Sequence, residues 1–135
     1  DVDRADGKML STLVEAGIVP VMAPLTHDGA GHILNTNADT IAGETAKALA
    51  QYYDVTLVYC FEKKGVLSNP DDDDSVIPVI TRNDFRHYVE DGTVSGGMIP
   101  KIENAFQAID AGVKKVVITC ASAIDGNNGT VINNL

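Results

Sequence analysis

The chain has 135 residues, 44% of them hydrophobic and 21% charged, with a formal net charge of −9. That length and balance suit one soluble domain with a real core. The negative charge argues against a nucleic-acid backbone as partner, and no apolar run is long enough to suggest a membrane span or a signal peptide.

The sequence opens at Asp1 rather than at a methionine and runs straight into a helical pattern, which reads as a piece of a longer chain. Met9, Leu10, Leu13 and Val14 recur at helical spacing, and Gly17 follows as a stop. "IVPVMAP" (18–24) predicts a short apolar strand bracketed by prolines. "THDGAGHIL" carries Asp-Gly punctuation and predicts a turn or hairpin, with His27 and His32 as loop residues rather than metal ligands. The Ala-rich, proline-free run from Ala38 to Gln51 predicts a helix. "VTLVYCF" (55–61) is a continuous apolar run, expected to be a strand buried on both faces of a parallel sheet.

A long polar loop, "EKKGVLSNPDDDDS", comes next, and its four aspartates (Asp71 to Asp74) lack the spacing of a calcium loop and read as a solvated tip. "VIPVI" is a further short apolar piece. "TRNDFRHYVEDG" begins with a Thr-x-x-Asp capping-box pattern and ends at Gly92. A helix from Met98 to Ala111, stopped by Gly112, leads into the strand "KVVITC". Cys60 and Cys120 each close an apolar run and are expected to be buried as small hydrophobes, without a disulfide or metal, in a cytoplasmic protein. Alternation of helices with apolar strands predicts an α/β fold with a mostly parallel central sheet sandwiched by helices.

In such a sheet ligands sit at the carboxyl ends of the strands. The helix beginning "SGGMIPK" lacks a Ser, Thr, Asp or Asn cap, and its first charge is positive. Gly96 and Gly97 leave the backbone bare, so the helix start and Lys101 together suit a phosphate, although a plain glycine turn followed by an exposed lysine has the same sequence. In "NTNAD", Asn35, Asn37 and Asp39 share one parity. They either line a polar site in which Asp39 orients a lysine, or Asp39 serves the following helix as cap or dipole partner. "FEKKGVL" reads either as a nucleotide loop at a strand end or as a solvated turn.

The order "NTNADTIAGETAKAL", strand, "KKGVL", "GTVSGGMIPKIENAFQAIDAGVKKVVI" resembles the amino-acid kinase family, and within it the acetylglutamate kinases. The upstream "LVEAGIVPVMAPLTHDGAGHILN" and the closing "GTVI" fit it too. The resemblance covers nearly the whole chain but only the later part of the family's chain. It implies an amino-acid kinase-like fold in which residues 1–135 are a single α/β domain, the nucleotide-binding portion of a longer kinase. The activity it implies is ATP- and Mg²⁺-dependent phosphorylation of the side-chain carboxylate of N-acetyl-L-glutamate, a step of arginine biosynthesis. The alternatives are a kinase for another N-acyl amino acid, such as a succinylglutamate or aminoadipate derivative, and a non-catalytic nucleotide-binding module.

By the same resemblance Lys101 stabilises the transferring phosphoryl group and Asp39 organises the catalytic lysines. Asn35 and Asn37 bind substrate. The nucleotide contacts Glu62, Lys63, Lys64, Gly65, Val66, Leu67, Thr93, Val94, Ser95 and Met98, and no residue is implied as a protein ligand to a metal. Phe61 and Glu62 stand where relatives often carry a Ser/Thr-Asp pair. The family's glycine-rich substrate loop and second catalytic lysine find no match here, so this stretch alone is expected not to turn over. The full chain is expected to form a homo-oligomer.

Overall fold

The computed structural model describes residues 2–125 and 128–134. Helix α1 (Gly7–Glu15) starts where the Asp6 carboxylate accepts the Met9 N–H at 2.9 Å, and it buries Leu10. Strands β1 (Leu25–His27) and β2 (Ile33–Asn35) form the antiparallel hairpin that the Asp-Gly turn predicts. Asp28 closes that turn by accepting the Ala30 and His32 N–H groups and pairing with the His32 ring at 2.5 Å. Helix α2 (Ala38–Leu49) follows, capped by Asn37.

The main sheet contains β3 (Thr56–Phe61), β4 (Val79–Ile80), β5 (Lys115–Cys120) and β6 (Thr130–Ile132) in the order β3-β5-β6-β4. β3 runs parallel to β5 and β4 parallel to β6, whereas β5 and β6 are antiparallel, so the sheet is mixed and mostly parallel. Helix α3 (Arg82–Glu90) begins with the expected capping box between Thr81 and Asp84. Helix α4 (Met98–Asp110) ends before Gly112, whose φ of +100° suits glycine.

The core follows from the pleat. Leu57 and Tyr59 on β3 and their register partners Val116 and Ile118 on β5 share one face. They pack with Ala46 of α2 and with Ile102, Ala105 and Phe106 of α4. Each of the larger aliphatic side chains and Phe106 contributes roughly 1.5–3 kcal/mol through burial. Because α2 and α4 rest on the same part of this face, the first turns of both helices arrive near the carboxyl end of β3.

Three expectations are corrected. Residues 18–24 form no strand: Val19 is 84% and Val21 93% exposed. Pro20 and Pro24 offer no N–H, and no described strand runs alongside to pair with the segment. β3 is not buried on both faces: Leu57 and Tyr59 pack against α2 and α4, while Thr56 and Cys60 on the opposite face are exposed. For the same reason Cys60 is not a core residue, and Cys120, at the last position of β5, is only half-buried. Among the described residues no helix is long and apolar enough to cross a membrane.

Candidate active site

The first turn of α2 brings one half of the site. Asn37 leaves the extended backbone of the hairpin, and its side-chain oxygen accepts the N–H groups of Asp39 and Thr40 at 2.8 and 3.2 Å. The cap role suggested for Asp39 thus belongs to Asn37. Asp39 is freed to turn its carboxylate across to α4, and the nearby helix N-terminus favours the negative charge. Asn35 ends β2 with its side chain in solvent.

The first turn of α4 brings the other half. Gly97 is its cap residue and makes no side-chain cap bond. The Met98 N–H is taken up by the Ser95 carbonyl at 3.2 Å and the Ile99 N–H by the Gly96 carbonyl at 3.3 Å. Pro100 has no N–H, so the bare donors at this helix start are those of Gly96 and Gly97, which donate to nothing among the described residues. A β-carbon at either glycine would meet only open space. The helix start is open on that side.

Lys101 and Asp39, distant in sequence, meet at 2.7 Å, with only 26% and 28% of their side chains exposed. The ammonium also lies over the ring of Phe61, 3.9 Å from its centroid. Beneath Phe61 sits Tyr59, whose hydroxyl donates to the Asp39 carbonyl oxygen at 3.3 Å. Burial first, then the Asp39 and Glu44 charges, pushes the Tyr59 phenol up to about 12.

Beside this pair lies a cleft of about 680 Å³, floored by the carboxyl end of β3 and the loop after it. Of the residues expected at a nucleotide, Glu62, Lys63, Gly65, Val66, Leu67, Thr93, Ser95 and Met98 line it. Val94 does not: its side chain is 1% exposed in the core, and its N–H is held by the Tyr88 carbonyl at 2.7 Å. Lys64 lies outside the cleft and pairs with Asp74 at 2.8 Å, as Lys63 pairs with Asp73 at 2.7 Å. The aspartate run is therefore exposed, as expected, but it also neutralises both lysines of the loop.

Gly65 has a packing reason of its own, since a β-carbon there would sit 2.8 Å from the Thr130 hydroxyl. That hydroxyl is fully buried, accepts the Val66 N–H at 2.8 Å and donates to the Ile77 carbonyl at 2.7 Å. It thereby ties the cleft loop to β6. Sequence reasoning missed Thr130 and Tyr59, which do not line the cleft, and Pro70, which does. Only the closing "GTVI" hinted at the first, and neither of the others carried a positional signal.

The sequence model of the amino acid kinase family matches residues 1–120. The acetylglutamate kinase of Bacteroides thetaiotaomicron is 67% identical over 132 residues, which are 98% of this chain and 51% of the relative. That of Parabacteroides distasonis is 63% identical over 130 residues, 96% of this chain and again 51% of the relative. The chain spans about half the length of the curated relatives it matches. Among solved structures, smu.665 of Streptococcus mutans superposes with a TM-score of 0.79 at 32% identity, over 98% of this chain and 50% of that one. The carbamate kinase of Giardia lamblia bound to AMP-PNP gives 0.67 at 20% identity, over 97% and 50%, a likeness of fold alone.

Proposed function

The chain belongs to the amino acid kinase family, and from that premise we propose that it carries the nucleotide side of an acetylglutamate kinase. The observation that carries this reading is the Lys101–Asp39 pair, set beside a cleft lined by the loop after β3 and the start of α4. The names of these relatives supply the substrate. A side-chain carboxylate oxygen of N-acetyl-L-glutamate attacks the γ-phosphorus of ATP. The bond from that phosphorus to the β–γ bridging oxygen breaks, and ADP leaves with the electron pair. The acyl phosphate forms without proton transfer, so positioning and charge stabilisation are the protein's tasks.

In this reading ATP lies in the cleft and its phosphates reach the Gly96 and Gly97 N–H groups. Lys101 meets the charge that spreads over the transferring group, and Asp39 aims it. Mg²⁺ bound with the nucleotide would supply further positive charge there. We assign the nucleotide phosphates as its carrier. Asn35, at the mouth between β2 and α2, is assigned to the acceptor, and Asn37 to the cap beside it. The compartment assigned to the enzyme is the cytoplasm, where thiols such as Cys60 and Cys120 stay reduced.

The test is a coupled ADP-release assay on the full-length kinase chain that carries these residues, with N-acetyl- and N-succinyl-L-glutamate as acceptors. The reading predicts turnover with the acetyl compound and a kcat about 10²–10³-fold lower for Lys101→Met. ADP release with neither acceptor, or a Lys101→Met enzyme as fast as the native one, overturns it.

A further inference from the structure

The ammonium of Lys101 has three donors on a flexible four-carbon stem, and one carboxylate contact leaves such a group free to swing. Here it is restrained a second time, by the face of Phe61 at 3.9 Å. The ring is itself fixed. It stacks on Tyr59 with centroids 6.3 Å apart and planes 20° from parallel, and Tyr59 is 3% exposed. The Tyr59 hydroxyl returns to the backbone oxygen of Asp39 at 3.3 Å, the residue whose carboxylate holds Lys101 at 2.7 Å. Asp39, Lys101, Phe61 and Tyr59 thus form a closed circuit joining α2, α4 and β3.

The chemistry of the second restraint matters. Another carboxylate at this place would neutralise the lysine and repel a phosphate. An aromatic face attracts the ammonium through its quadrupole and leaves its formal charge for use elsewhere. Phe61 also lines the cleft, so one ring carries the lysine and forms part of the cleft wall.

We propose that Phe61 is a positioning residue, whose ring face holds the Lys101 ammonium between Asp39 and the cleft. The role rests on the kinase reading above, and it acts through Lys101 rather than on the reacting atoms. The ring should therefore affect the chemical step more than nucleotide affinity. Leu at this position preserves an apolar wall without a π face, and Tyr preserves the face.

The experiment uses the full-length chain as native, Phe61→Leu and Phe61→Tyr. Steady-state kinetics are combined with NMR of the Lys101 ε-methylene, assigned by its loss in Lys101→Arg. In the native and Tyr enzymes the ε-protons are expected upfield of exposed lysines, displaced by the ring current, and in Phe61→Leu they return to the ordinary position. The kcat of Phe61→Leu is expected to fall roughly tenfold, with the nucleotide KM changed by no more than about twofold and Phe61→Tyr close to native. An active native enzyme with unshifted Lys101 protons, or a Phe61→Leu enzyme with native kcat, overturns the role of Phe61 and leaves the kinase reading intact. Shifted protons in an enzyme that transfers no phosphate overturn the kinase reading, and the positioning role with it.

Discussion

Replacing Thr130 by Val keeps the shape of the side chain and removes its hydroxyl. That hydroxyl is the acceptor for the Val66 N–H and a donor to the Ile77 carbonyl, both within a fully buried setting. Each buried group left without a partner costs about 1–3 kcal/mol. A methyl in place of the hydroxyl returns about 0.8 kcal/mol through its greater burial of apolar surface. The net expectation is a loss of about 3 kcal/mol, which for a chain of this length lowers Tm by roughly 10 °C. Urea denaturation of native, Thr130→Val and Thr130→Ser proteins gives the comparison. Ser retains both hydrogen bonds and loses only a methyl, so it should lie about 1 kcal/mol from native. Because Val66 lines the cleft, nucleotide affinity should fall with stability in the Val variant and recover in Ser. A Val variant as stable as Ser would refute the assignment of the hydroxyl as the tie between the cleft loop and β6.

Other expectations follow from separate parts of the molecule. Tyr59 should titrate by ultraviolet absorbance in a step near pH 12 that is absent from Tyr59→Phe. Its folded pKa is raised above the unfolded value of 10.0, so its contribution is complete below pH 10 and is lost as pH rises through about 12. Removing the counter-charges in Asp73→Asn/Asp74→Asn frees Lys63 and Lys64 and should tighten nucleotide binding about two- to fivefold at low salt, a gain that vanishes in about 0.5 M salt. Isothermal titration at two ionic strengths checks both halves of that statement. Thr81→Ala, which breaks the capping box of α3, should cost about 1 kcal/mol in urea denaturation, whereas Thr81→Ser should cost little.

Much of this fold is legible in the chain because local chemistry agrees with it. The Asp-Gly turn at Asp28, the Thr81–Asp84 box and the Gly112 stop each specify their boundary from within a few residues. The helix at Met98 was legible for the opposite reason, its missing cap, and among the described residues the Gly96 and Gly97 N–H groups have no acceptor. What escaped depends on neighbours. "IVPVMAP" has the composition of a strand, yet pairing requires an adjacent strand that composition does not report. "VTLVYCF" reads as buried on both faces, but only the face of Leu57 and Tyr59 is covered, and Thr56 and Cys60 are exposed. The site behaves likewise. The residues of the cleft loop and helix start could be picked out from motifs, and most of them line one cleft. The contact of Lys101 with Asp39, the ring beneath it and the Thr130 tie are tertiary facts, created by α2, α4 and β6 meeting on one sheet.

In the reading proposed above, the cleft between the loop after β3 and the start of α4 binds a nucleotide by its phosphates. The most direct measurement is an amide NMR titration of the protein with Mg²⁺ and a non-hydrolysable ATP analogue. Saturable shifts are expected at Gly65, Thr93, Ser95, Gly96 and Gly97, with weaker binding in Lys101→Met. A folded protein whose amides do not move, or whose saturable shifts gather at the β1–β2 hairpin and α1 instead, would contradict it.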